Sequence, residues 1–311
     1  MTQAKLNQTE YIKESNLVLA QKGKTFFWAK FLLNQKHATQ AVRLYRFCRH
    51  IDDVGDDTAD KSVASHMLLQ IIEDLNAGRS NHTIISDAIA LFHESQININ
   101  IPIALVQGVM SDLNIVRIKD EAALMVYCYQ VAGTVGLMMS KILDVKDQRA
   151  FAHAIDLGMA MQLTNICRDV AEDALMNRRY LPASLIGDID PAALMHPDEQ
   201  TQHKIKNTLV RMLSNADAYY QSGHDGLCFL PIRARFGIVI ASGLYRHIGT
   251  HLAKNNYACW AFRSVVSKPL KAWLTVKILI QSLFDKSFYF YTKAHNQRLH
   301  DAINEVAHLN G

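Results

Sequence analysis

The sequence has 311 residues, 49% hydrophobic and 20% charged, which is ample apolar material for one substantial core. Its 33 basic and 29 acidic side chains leave a formal charge of +4, which argues against a nucleic-acid partner. Residues 1–24 are polar apart from a short apolar run at 17–20, and no stretch reads as the roughly 18 uncharged apolar residues of a membrane span, so a cytoplasmic protein is expected.

Glycine (14) and proline (6) are sparse, strand-type alternation is nearly absent, and apolar residues recur at three- and four-residue steps almost everywhere. Over 37–53, Ala41, Leu44, Tyr45 and Cys48 mark a first helix. Similar patterns cover about 60–77, 83–95, 101–117, 120–143, 147–176, 198–225, 231–254 and 267–308. Breaks are expected at Gly55, at 78–82, near 98–102 and at 182–197, where Pro182, Gly187, Pro191 and Pro197 fall. No repeat or linker divides the chain, so a single all-α domain over 1–311 is predicted. The segments GTVGLMM at 133–139 and GMAM at 158–161 read as core packing or as the lining of a ligand cavity. Cys48, Cys128, Cys167, Cys228 and Cys259 lack metal-ligand spacing and read as buried free thiols.

The first helix ends in RHIDDVGDD at 49–57. Asp52 and Asp56 are four residues apart, so both carboxylates project from one helix face, and Asp53 and Asp57 repeat the spacing one residue on. A solvated acidic helix end would look the same. The stretch QLTNICRDVAED at 162–173 decides between the two readings. Asp169 and Asp173 form a second such pair, with Asn165 and Gln162 on the same stripe, in a segment whose apolar flank at 154–161 predicts burial. Buried carboxylates are costly unless paired or metal-bound. Two such pairs predict facing ligands for a hard divalent cation, Mg²⁺ or its substitute Mn²⁺. Arg49, Arg168, Arg178 and Arg179 supply cations suited to diphosphate oxygens or to the carboxylates themselves.

These two segments resemble the DxxxD motifs of the squalene/phytoene synthase family. YCYQVAGTVG at 127–136 resembles the segment between them, and RYLP at 179–182 the motif that closes the second metal helix. Over about 23–271 the order and separation also agree, and 230–249 looks more like the bacterial phytoene synthases than the squalene synthases. The resemblance implies an all-α isoprenoid-synthase fold around a central cavity, with 272–311 as a C-terminal helical extension. It implies metal ligation by Asp52, Asp56, Asn165, Asp169 and Asp173. Arg49 and Arg168 would contact diphosphate or order the carboxylates, with Tyr45, Tyr127 and Tyr245 near the substrates and Phe26 and Gln162 on the cavity wall. Gly23 departs from a frequent serine, with Lys24 or Thr25 as compensation.

The implied reaction condenses two geranylgeranyl diphosphates head to head, through prephytoene diphosphate, to phytoene. The alternative is a squalene, presqualene diphosphate or dehydrosqualene synthase that uses farnesyl diphosphate. No GxGxxG follows a strand, so NADPH is not expected as a cofactor. A carotenoid desaturase would be the downstream partner. Finally, 263–300 holds seven Lys/Arg against Asp285 alone, interleaved with Trp273, Phe284, Phe288, Tyr289, Phe290 and Tyr291. That mixture predicts peripheral attachment to the inner face of the cytoplasmic membrane, or else ordinary packing of the last helices.

Overall fold

The computed structural model describes residues 32–307, so Gly23, Lys24, Thr25 and Phe26 lie outside the described residues. Helices follow one another as α1 (Gln35–Asp57), α2 (Lys61–Ala77), α3 (Thr83–Glu94), α4 (Asn100–Ser111), α5 (Glu121–Cys128) and α6 (Thr134–Ile142). After these come α7 (Arg149–Arg168), α8 (Val170–Leu175) and the single turns α9 (Ala183–Ile186) and α10 (Pro191–Met195). The last are α11 (Glu199–Asp225), α12 (Ile232–Lys254), α13 (Lys268–Phe284) and α14 (Lys286–Tyr289). Among the described residues there is no strand, only an isolated bridge between Arg117 and Arg179.

Local chemistry sets many of the boundaries. Asn34 Oδ1 accepts the His37 N–H at 2.8 Å to start α1, and the carboxylates of Asp60, Asp190 and Asp198 cap α2, α10 and α11. Gly78 closes α2 with φ +64°, a conformation that costs glycine little. The expected break at Gly55 does not occur, because α1 runs on to Asp57. A Cβ on Gly55 would lie 2.7 Å from Val109 Cγ1, so this glycine permits close packing against α4. The pattern read over 101–117 stops as a helix at Ser111, and the one read to 308 stops at Phe284. There Asp285 turns extended (φ −88°, ψ 118°) and its carboxylate accepts the Ser287 N–H at 2.9 Å, which starts α14 instead.

α7 is the axis of the bundle. Ile155, Met159, Ala160, Leu163 and Cys167 are fully buried, and α11, α6 and α12 pack around the helix. A π-turn, Tyr129–Gly133, joins α5 to α6 in one continuous rod. By length and composition Glu121–Ile142 could cross a membrane, contrary to the sequence expectation, but here Leu124, Cys128, Tyr129, Leu137 and Met138 are buried inside the protein. A Cβ on Gly136 would lie 2.1 Å from the Ala154 carbonyl oxygen, and one on Gly158 would lie 2.2 Å from that of Ala132. The two rods therefore touch backbone to backbone, an approach that only glycine permits.

Candidate active site

Between α1, the α5–α6 rod, α7 and α12 lies a cavity of about 380 Å³. Its mouth carries Asp52, Tyr45, Gln162, Asn165 and Tyr245, and its walls are apolar, with Val131, Val135, Met139, Leu157, Met161 and Ile238. At its far end are Leu33, Leu143, Leu227 and His153. Twelve residues of α7 separate Asn165 from His153, a depth of roughly 18 Å at 1.5 Å per residue. Both readings of the Met/Gly segments hold at once. Met138 and Met159 are core residues, whereas Met139 and Met161 one or two positions on line the cavity.

The mouth is acidic on two sides. Asp52 is accessible through the opening, but protein crowds its other sides. That desolvation, opposed by Arg49 and reinforced by Asp56 and Asp53, pushes its pKa up to about 7. Asp53 is engaged by Arg49 in an ion pair, while Arg178, which holds Asp56, also acts electrostatically on Asp173 of the second cluster. On that second side α7 ends at Arg168, and Asp169 (φ −101°, ψ 18°) bends the chain into α8. The Asp173 N–H still reaches the Asp169 carbonyl at 2.8 Å, so the two carboxylates stay one turn apart across the bend. Burial and the neighbouring Asp169 push Asp173 up to about 8. Arg168 donates through Nε to Asp169 Oδ1 at 2.7 Å, and Arg263 reaches the same oxygen at 3.0 Å.

Of the arginines offered for diphosphate or for the carboxylates, Arg178 takes a carboxylate. Arg178, buried beneath the clusters, donates to Asp56 Oδ1 from both terminal nitrogens at 3.1 Å. It thereby ties the segment after the second motif to the first. Asp112 accepts from the hydroxyls of Tyr127 (2.8 Å) and Tyr180 (2.7 Å), whose rings stack with centroids 4.9 Å apart. Burial raises the Asp112 pKa even so, and its charge is felt by both Asp52 and Asp173. Tyr127 thus spends its hydroxyl on Asp112 at the base of the mouth. Asp112 carries no DxxxD spacing, and nothing in its local sequence marks it out. Arg179 is fully buried and holds the carbonyls of Ile118 and Leu181, a structural post at the entry to the irregular 182–197 segment.

The donor set suits a divalent cation. Asn165 Oδ1 is buried without a hydrogen-bond partner beside Gln162, and it lies one turn from Asp169. Carboxylates that resist ionisation through mutual repulsion and burial gain from a cation between them.

The family model described as squalene/phytoene synthase matches residues 19–271. The chain belongs to that family. As a squalene/phytoene synthase family member it is 33% identical over 265 residues to a 15-cis-phytoene synthase of Enterobacter agglomerans, covering 81% of this chain and 90% of the relative. It is 32% identical over 291 residues to a phytoene synthase of Rhodobacter capsulatus, covering 92% and 84%. In fold it matches a dehydrosqualene synthase solved with ligand, with TM-score 0.75 and 23% identity over 89% of this chain and 98% of that one. A squalene synthase from Alicyclobacillus acidocaldarius matches at TM-score 0.70 and 15% identity, covering 81% and 95%. The terpenoid-synthase fold of this family is the all-α architecture described above.

Proposed function

We propose that the protein condenses two geranylgeranyl diphosphates head to head to phytoene, with release of diphosphate, as a step of carotenoid biosynthesis. One observation carries this reading. A long apolar cavity is lined by Asp52 of the first aspartate cluster and by Asn165, one turn before the second, in a chain 33% and 32% identical to two bacterial phytoene synthases.

Mg²⁺ held by Asp52, Asp56, Asn165, Asp169 and Asp173 would supply electrostatic stabilisation to the departing diphosphate. The protein's own groups do the rest. Arg168 and Arg263 hold Asp169 from two directions, and Arg178 holds Asp56, so the carboxylates are oriented before substrate arrives. The Tyr127–Asp112–Tyr180 cluster fixes the floor between them. Cavity walls of Val, Leu and Met exclude water from the allylic cation, which lets the second prenyl chain rather than water capture it. The same walls would shelter prephytoene diphosphate through its second ionisation, rearrangement and proton loss. No reductant enters this sequence, in keeping with turnover without NADPH.

The protein would work at a membrane surface. On α13 the side chains of Trp273, Val276, Ile280, Leu283 and Phe284 recur at three-, four- and one-residue steps along one face and are exposed, Phe284 at 85%. Phe290 follows at 69%, and Lys271, Lys277 and Lys286 flank the stripe. Apolar residues bordered by lysines suit an anionic interface, from which a carotenoid desaturase could take an insoluble product.

The test is product analysis. Purified protein with Mg²⁺ and geranylgeranyl diphosphate, without NADPH, should yield phytoene on chromatography. A thirty-carbon product from farnesyl diphosphate, with the twenty-carbon substrate inert, would replace this reading by a dehydrosqualene or squalene synthase.

A further inference from the structure

A second cluster of ligand-type side chains lies away from the aspartate mouth. Asp156, on α7, is completely buried and stands 13 residues before Asp169, roughly 20 Å along the helix axis. Its Oδ2 faces His295 Nε2 at 2.8 Å, and its Oδ1 faces His300 Nε2 at 2.7 Å. Both histidines come from the segment after α14, which meets α7 at Asp156 and α11 at Tyr219. One nitrogen from each imidazole and one carboxylate oxygen lie within 4.8 Å of one another. Among the described residues, the ion pairs of Asp156 are with these two imidazoles.

We propose that Asp156, His295 and His300 form a site for a divalent transition metal, with Zn²⁺ the best-suited ion, which pins the C-terminal segment to the core. Two imidazoles presenting the same ring atom to one carboxylate make a His₂–carboxylate donor set, and imidazole ligands select Zn²⁺ over the oxygen-seeking Mg²⁺. The surroundings supply what such a site needs. Ser222 Oγ donates to Asp156 Oδ2 and is itself met by His153 Nδ1 at 3.0 Å, a chain of contacts that fixes the carboxylate from behind. A separate cavity of about 590 Å³, lined by Arg149, His295, His300, Asp301 and Asn304, gives an ion a route in and room for a water as fourth ligand. The segment is already positioned, since Tyr219 donates its hydroxyl to the Leu299 carbonyl at 2.6 Å. The metal would take the Nε2 lone pair of each ring, with the ring proton carried on Nδ1; a ring that starts as imidazolium would release its second proton to solvent.

The experiment uses the full-length protein, stripped of metal and titrated with Zn²⁺ and, separately, Co²⁺. Wild type should retain a single tightly held equivalent of Zn²⁺ on gel filtration, and His300→Gln should lose it with its far-ultraviolet circular dichroism unchanged. His295→Cys should add a thiolate-to-Co²⁺ charge-transfer band, a signature that a purely hydrogen-bonding role cannot produce. Retention of the same Zn²⁺ by His300→Gln would place the ion at the aspartate mouth and overturn the proposal. A wild type that holds no Zn²⁺ would leave a hydrogen-bonded latch in its place. If His300→Gln does not fold, the His295→Cys band decides alone, its presence supporting the site and its absence removing it.

Discussion

Arg178 reaches across 122 residues of sequence to hold Asp56, with both terminal nitrogens 3.1 Å from one carboxylate oxygen. The guanidinium is buried while the carboxylate is half open to the mouth, so the arginine is the fixed member and the aspartate the one being aimed. Arg178→Lys should keep the charge and lose the two-nitrogen grip. A charge-assisted contact of roughly 1.5–3 kcal/mol corresponds to a loss of about tenfold to a hundredfold in kcat/KM. Steady-state kinetics with circular dichroism would check it, and wild-type rates in the lysine variant would rule out the aiming role.

Asp52→Asn and Asp169→Asn should each lower turnover by more than about a hundredfold, as expected when a principal stabiliser of leaving-group charge is lost. Folding should survive, because Asn keeps the shape of Asp and, at Asp52, removes a carboxylate that burial and its like-charged neighbours disfavour. EDTA should stop the wild-type enzyme, and Mg²⁺ or Mn²⁺ should restore it. Near-full activity in both variants would show that the ligands lie elsewhere.

The two perturbed carboxylates also predict how stability depends on pH. Asp52 and Asp173 are pushed up to about 7 and about 8, while the unfolded chain releases the same protons near pH 4. Between those limits the folded protein binds more protons than the unfolded one, so rising pH destabilises it. The Tm of the metal-free protein should fall from about pH 5 to about pH 8, and saturating Mg²⁺ should flatten that slope by favouring the ionised forms. Identical slopes with and without Mg²⁺ would show that the cation does not bind these groups.

Gly158→Ala tests the backbone contact at the heart of the bundle. A methyl group there meets the Ala132 carbonyl oxygen at 2.2 Å, and backbone cannot swing aside as a side chain can. Overpacking of this kind costs about 1–3 kcal/mol. The melting temperature should drop, and the cavity wall at Ala132 and Gly158 should shift with it, raising KM for the prenyl substrate. An unchanged Tm would mean that α7 slides without penalty.

Liposome sedimentation addresses the exposed stripe on α13. Binding to anionic vesicles should weaken as salt rises, since the screening length shortens from about 10 Å at 0.1 M to about 3 Å at 1 M. Gln at Lys271, Lys277 and Lys286 should remove the salt-sensitive part, and Trp273→Ser with Phe284→Ser the remainder. Equal recovery in the supernatant with and without anionic lipid would leave the stripe without a membrane role.

Sequence periodicity located most helices because each buries one face, and i, i+4 spacing exposed both aspartate pairs because helices impose that register. Three things escaped it. Asp112 matters only through Tyr127 and Tyr180, partners 15 and 68 residues away that share no local pattern with it. Gly55 looked like a helix end because glycine breaks helices in isolation, whereas here α4 needs the missing Cβ. Beyond Phe284 the apolar spacing continues but the helix does not, since Asp285 caps a new turn and the chain leaves to meet Asp156. At Asp112 and Gly55 a long-range contact decided the outcome, and after Phe284 the Asp285 cap did.

α7 carries Asn165 at the mouth, Gly158 and Met161 on the cavity wall and His153 at its end, all in one helical register. A single inserted residue near Gly158 would turn everything downstream by about 100°. Asn165 would leave the mouth while His153 stayed in place, and the candidate ligands would no longer lie beside the cavity. Changes in the reach of this cavity are therefore open to point substitution along the helix and closed to insertion or deletion within it.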